Sequence, residues 1–207
     1  ITVLSNGQVV DQVGVTDFTA DKTSAKADGT EAITYTATVK KNGVAQANVP
    51  VSFNIVSGTA VLSANSANTN SSGKATVTLT SNKPGQVVVS AKTAEMTSAL
   101  NANAVIFVDQ TKASITEIKA DKTTAVANGQ DAITYTVKVM KNGQPLSGEE
   151  VTFFTDFGAL DKTKVTTDQS GYATVKLSSS TSGKAIVRAK VSDVDTEVKA
   201  AAVEFFA

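Results

Sequence analysis

Cysteine, histidine and tryptophan are all absent from this 207-residue chain, and proline occurs only three times. Without cysteine there is no disulfide, no thiolate nucleophile and no zinc–thiolate site. Without histidine the commonest general acid/base, the Ser–His–Asp triad and most transition-metal sites go too. Composition therefore leans away from enzymes. Neither sign of charge is in excess, since 19 Lys and Arg stand against 19 Asp and Glu. A nucleic-acid partner is not expected, because counterion release needs clustered basic residues. No stretch approaches the roughly 18 consecutive apolar residues that span a bilayer, and Ile1 to Asn6 lack the basic start of a signal peptide.

What the chain does contain is a repeat. Ala20 to Gly43 and Ala120 to Gly143 are identical at 16 of 24 positions at an offset of 100. The match runs on through Val51, Phe53 and Gly58 against Val151, Phe153 and Gly158. It then slips by two residues and resumes at an offset of 98, with Gly73 to Leu79 against Gly171 to Leu177 and Val89 to Lys92 against Val187 to Lys190. A period near 100 is far longer than the roughly 20–50 residues of a solenoid repeat, so each copy is expected to fold as a domain. Residues 1–8 read as the end of a truncated preceding module, 9–107 as one domain and 108–207 as the next. The join from Val108 to Ser114 has neither Gly nor Pro, so a large hinge motion is not expected.

Apolar residues alternate with threonine in Ile33, Tyr35, Ala37, Val39 and again in Ala75, Val77, Leu79. A period of two marks strands buried on one face. Val51, Phe53, Ile55 and Val87, Val89, Ala91 repeat it, and the second copy supplies Ile133 to Val139, Ala173 to Leu177 and Ala185 to Ala189. Turn signals separate these runs at matched places, including Asn42-Gly43 and Asn142-Gly143. About seven short strands per module predict an all-β chain of two tandem immunoglobulin-like antiparallel β-sandwiches. Longest strands of about 11 residues, at roughly 3.3 Å each, would make an elongated rod of about 70–80 Å from two modules placed end to end.

Candidate chemistry is sparse. Asp193, Asp195 and Glu197, at i, i+2 and i+4, would share one face of a strand, a spacing that suits a carboxylate pair or Ca²⁺. Their counterparts Glu95, Thr97 and Ala99 break the pattern, so edge protection is the preferred reading. Glu149 and Glu150 would point to opposite faces. Asp17, Asp21, Asp109 and Asp121 lie near module ends, where some sandwich arrays bind calcium, but they lack a dense acidic loop and are read as turn and cap residues. Phe154 should face away from Phe153, and Phe206 should stand where a following module would pack. Asn70-Ser71-Ser72 matches a glycosylation sequon that so serine-rich a chain produces by chance. No catalytic, cofactor-binding or metal residue is assigned, and no cofactor or enzymatic activity is expected.

The motifs ADKTxAxAxG, ITYTxxV, Gly-x-Ala-x-Val-x-Leu and Val-x-Ala-Lys together resemble the bacterial immunoglobulin-like (Big-1) domains of the intimin/invasin adhesins. That resemblance covers nearly the whole chain. It implies the extracellular stalk of a bacterial outer-membrane protein, anchored by an N-terminal barrel and ending in a receptor-binding tip, both absent from these residues. The partners it implies are neighbouring modules of the same chain and, through the tip, a host-cell receptor. The alternative is that the modules themselves bind a host ligand or a second adhesin copy. A glycosidase is the least supported reading, since no tryptophan and only three tyrosines supply poor sugar platforms.

Overall fold

The computed structural model describes the backbone of residues 2–3 and 9–10 and the whole of residues 12–207. Every regular element among them is a β-strand. The expected remnant of a preceding module, residues 1–8, lies largely outside the described residues. Thr2–Val3 and Val9–Val10 form a two-stranded antiparallel ladder. The chain separates into two compact units, Ile1–Lys83 with Val87–Val105, and Pro84–Gln86 with Ile106–Ala207.

In the first unit one sheet has the order Gly14–Ala20, Ile33–Lys41, Lys74–Thr80, Val61–Leu62, with Val44–Ala45 folded back on Ile33–Lys41. The other sheet has the order Ser24–Lys26, Val105–Val108, Gly85–Lys92, Pro50–Ser57, Ser66–Asn68, with Leu100–Asn101 beside Gly85–Lys92. The second unit repeats the first sheet through Ser114–Ala120, Ile133–Lys141, Tyr172–Ser178 and Ala159–Leu160. Its opposing sheet is divided. Thr124–Val126, Val203–Phe206 and Gly183–Ala185 form a three-stranded piece, and Lys164–Thr166, Glu150–Thr155, Val187–Val191 and Val198–Lys199 form a four-stranded one.

The division falls at Ile186, whose N–H leaves the ladder and is accepted by Asp156 Oδ1 at 2.8 Å. In the first unit the matching place is a register shift between Val88 and Val89 inside an unbroken strand. Two expectations need correcting. The longest strands have nine residues rather than 11, because left-handed backbone at Asn42 (φ 50°) and Gly43 (80°), and at Asn142 (52°) and Gly143 (76°), reverses the chain directly after Lys41 and Lys141. The sandwich is also not wholly antiparallel, for Thr124–Val126 runs parallel to Val203–Phe206.

Alternation places the core where the period of two requires. Ile33, Tyr35, Ala37 and Val39 are fully buried, as are Ile133, Tyr135, Val137 and Val139. They face Val51, Phe53, Val87, Val89 and Ala91 in the first unit, and Val151, Phe153, Ala185, Val187 and Ala189 in the second, all buried. The alternation Ala185, Val187, Ala189 survives the break at Ile186, so the core is continuous where the backbone ladder is not.

Tyr35 and Tyr135 add an anomaly that both copies carry. Both are fully buried, and neither hydroxyl has a hydrogen-bond partner among the described residues. Burial raises both phenols, that of Tyr135 to about 12, with the Asp21 and Asp121 charges pushing the same way. Below pH 10 both folded and unfolded states hold this proton. Above it the unfolded chain releases the proton while the folded chain keeps it, so stability falls as pH rises from the ordinary tyrosine value of 10 to about 12. Tyr135→Phe should remove that share of the alkaline loss, on the order of 1 kcal/mol per pH unit. At pH 7 it should stabilise the second unit by about 1 kcal/mol, because an unsatisfied hydroxyl leaves the core. Denaturant titrations at pH 7 and pH 11 check both, and a destabilised variant at pH 7 would refute the orphaned-hydroxyl account.

Candidate functional site

The carboxylates singled out by their spacing do not converge. Asp193, Asp195 and Glu197 lie in the loop between Val187–Val191 and Val198–Lys199, not on a strand, so they share no sheet face. Asp193 Oδ2 accepts the Ala113 N–H at 3.1 Å, and Glu197 pairs with Arg188 at 2.5 Å. Glu150 sits 3.7 Å from Lys164 on the exposed surface, while Glu149 meets the Ser192 hydroxyl at 3.4 Å. Among the described residues no three Asp, Glu, His or Cys side chains are grouped as a metal site would need.

The carboxylates near module ends hold backbone instead. Asp21 accepts the Thr34 N–H at 2.8 Å and Asp121 accepts that of Thr134 at 2.9 Å, each pinning the start of the longest strand. Asp109 accepts both the hydroxyl (2.7 Å) and the N–H (3.0 Å) of Thr111, which hold its carboxyl below the usual range. Asp17 is exposed beside the irregularity where Val15 and Asp17 oppose the adjacent Val39 and Thr38. Asn70 Oδ1 accepts the N–H groups of Ser72 and Lys74, as Asp168 Oδ1 does for Ser170 and Tyr172 in the other copy. An aspartate at the matching place marks this as a turn position.

Two polar devices escaped the sequence reading. Thr69 and Thr167 are buried, and each hydroxyl does two jobs. Thr69 donates to the Gln46 carbonyl (2.6 Å) and accepts the Val49 N–H (2.9 Å); Thr167 donates to Leu146 (2.6 Å) and accepts from Glu149 (3.0 Å). The second device is a carboxylate on the outer side of a short edge strand. Asp131 accepts the Val126 N–H at 2.8 Å and pairs with Lys122 at 2.6 Å. The Lys122 ammonium, followed by the Val126 N–H, holds this carboxyl below its ordinary value. In the first copy Glu31 takes the Lys26 N–H in the same way.

Exposed apolar groups are few and scattered. Phe154 faces away from the buried Phe153, as alternation requires, but the Arg188 guanidinium lies over its ring at 5.4 Å. Phe206 (50% exposed) stands opposite Val126 (49%) in the parallel ladder, forming a small apolar pair. Taken together, these groups can cap turns, staple loops and cover edges.

The family model for the bacterial Ig-like domain (group 1) matches residues 15–108 and again 115–206. Intimin of Citrobacter freundii is 82% identical over 207 residues, which is the whole of this chain but 22% of that protein. The inverse autotransporter adhesin YeeJ of Escherichia coli (strain K12) is 32% identical over 187 residues, 86% of this chain and 8% of that protein. A solved structure, the D0-D1 domain of intimin, superposes with a TM-score of 0.93 at 82% identity, covering 94% of this chain and 100% of that one. The chain thus spans about a fifth of the length of the intimin it matches.

Proposed function

Because the chain belongs to the bacterial Ig-like domain (group 1) family, we propose that its two sandwiches are a spacer in the extracellular stalk of an outer-membrane adhesin. In this reading a barrel elsewhere in the parent protein anchors it, and a separate tip meets a host-cell receptor. The stalk sets the distance between the two surfaces. A stiff spacer also restricts the orientations the tip must search, which lowers the ordering cost of engagement.

One observation carries the reading. Several polar residues at matched places in the two copies, Asp21 and Asp121, Thr69 and Thr167, Glu31 and Asp131, hold backbone groups of their own module. These matched groups serve the fold of their own module. The names of the relatives, intimin and an adhesin, support the adhesive setting. The chain carries no catalytic, cofactor or metal site of its own in this reading.

Small-angle scattering of the two-domain chain tests it. A maximum dimension near 70–80 Å, about the sum of two modules, is expected. A value near that of one module would overturn the spacer role. The same fragment at micromolar concentration should leave host cells undecorated. Saturable cell binding by the fragment alone would favour modules that contact host ligands directly.

A further inference from the structure

We infer that the second unit carries a shear clamp that makes it resist tension along the chain, formed by the parallel pairing of Thr124–Val126 with Val203–Phe206. This rests on the spacer reading for the origin of the load, since a tether between two cells is pulled from both ends.

The chain enters this unit through Ser114–Ala120, passes at once into Thr124–Val126, and leaves through Val203–Phe206. The opening and closing segments of the module are therefore direct neighbours. Their register is Thr124 with Glu204, Ala125 with Phe205 and Val126 with Phe206. The ladder is extended on both sides, by the Glu204 N–H donating to the Thr123 carbonyl at 2.9 Å and the Ala127 N–H donating to the Phe206 carbonyl at 2.6 Å.

Direction decides how such a ladder fails. Pulling on the chain ends draws the early strand toward its own N-terminus and the last strand toward its own C-terminus. If the two were antiparallel, both forces would act at the same end of the ladder, and the bonds would break in succession. Because they are parallel, the forces act at opposite ends and the strands must slide past each other. All the bonds then share the load and must yield nearly together.

Side chains oppose the slide as well. Ala125 and Phe205 lie opposite each other and are both buried, so movement of the last strand draws the Phe205 ring out of the core. The early strand is fixed from its other edge by Asp131, which holds the Val126 N–H and the Lys122 ammonium. Ahead of it, Ser114–Ala120 is paired along Ile133–Lys141 from Ser114 with Met140 to Ala120 with Tyr135. Tension entering at Ala113 therefore meets this antiparallel ladder first and the parallel one after it.

Single-molecule force spectroscopy of the full chain tests this in two ways. The chain has no cysteine, so Gln130→Cys provides a unique handle just after the early strand. Pulling between that handle and the C-terminus loads the same end of both parallel strands and should unfold the second unit at less than about half the force needed end to end, forced unfolding being governed by the barrier along the pulling direction. Separately, Ala127→Pro removes the N–H donated to Phe206. It should lower one of the two end-to-end unfolding events by about a third or more and leave the other unchanged. Equal forces in the two pulling directions would overturn the clamp, and that comparison needs no core or ladder change. An Ala127→Pro chain that folds yet unfolds at the original force would also overturn it. A compact scattering profile would remove the spacer reading while leaving the force comparison intact, so the two failures are distinguishable.

Discussion

Replacing Phe153 with alanine is expected to destabilise the second unit by about 3–5 kcal/mol, enough to unfold a marginal domain of this size. The ring is 1% exposed and sits on Glu150–Thr155, paired through Ala189 with the strand at the centre of that half-sheet. Truncation removes its transfer free energy and leaves a cavity that the surrounding Val and Ile side chains fill incompletely. The first unit offers an internal comparison. Phe53 occupies the matching place but also stacks on Phe18 at 5.8 Å, and Phe18 touches Tyr35 at 5.3 Å. The counterpart of Phe18 in the second unit is Ile118, so Phe53→Ala should cost about 0.5–1.5 kcal/mol more than Phe153→Ala. Denaturant unfolding followed separately for each unit checks both values. A loss under about 1 kcal/mol at either position would contradict the core assignment.

Gly171→Ala is expected to destabilise the same unit by about 3 kcal/mol, although it adds a single methyl group at the buried end of a turn. Gly171 has φ +82°, a left-handed conformation that L side chains adopt at a cost. An added Cβ would lie 2.6 Å from the Val139 carbonyl oxygen, which is backbone in the longest strand and cannot turn aside. The Gly171 carbonyl accepts the Val139 N–H at 2.8 Å, so moving the turn away breaks a bond that closes the sheet. Gly73 repeats the arrangement with 2.7 Å to the Val39 carbonyl and should respond alike. Gly143→Ala is the control. It shares the positive φ, but nothing lies within 4 Å, so only the conformational cost of about 1 kcal/mol should appear. Thermal melts of the three variants separate strain from collision, and equal shifts at Gly143 and Gly171 would refute the collision account.

How much of this was legible depended on how local each signal was. The core strands were plain because alternation is written into consecutive residues, and Ile133 to Val139 are buried in the order that period two dictates. Asn142-Gly143 was plain because the dipeptide itself dictates a tight reversal. Asp193, Asp195 and Glu197 misled for the same reason, since two-residue spacing in a loop looks like two-residue spacing in a strand. Thr69 and Thr167 were invisible among 29 threonines, because what distinguishes them is a partner about 20 residues away. The break at Ile186 depends on Asp156, a carboxylate 30 residues upstream just past the end of Glu150–Thr155. Thr124–Val126 is three residues long, too short to show a period, and its parallel direction follows only from its place beside the last strand.

The carboxylates on the early edge strands have an effect beyond their own modules. Neighbouring domains with similar sequences are prone to exchange strands while folding, and an open edge with free N–H groups is where such an exchange begins. Here Glu31 and Asp131 each occupy an N–H on the rim of that edge with a charged group no incoming strand can match. The opposite rim of the other sheet ends in Val61–Leu62 or Ala159–Leu160, two residues long and too brief to template a partner. Exchange between tandem twins is thus opposed at these rims by side chains that contribute nothing to either core.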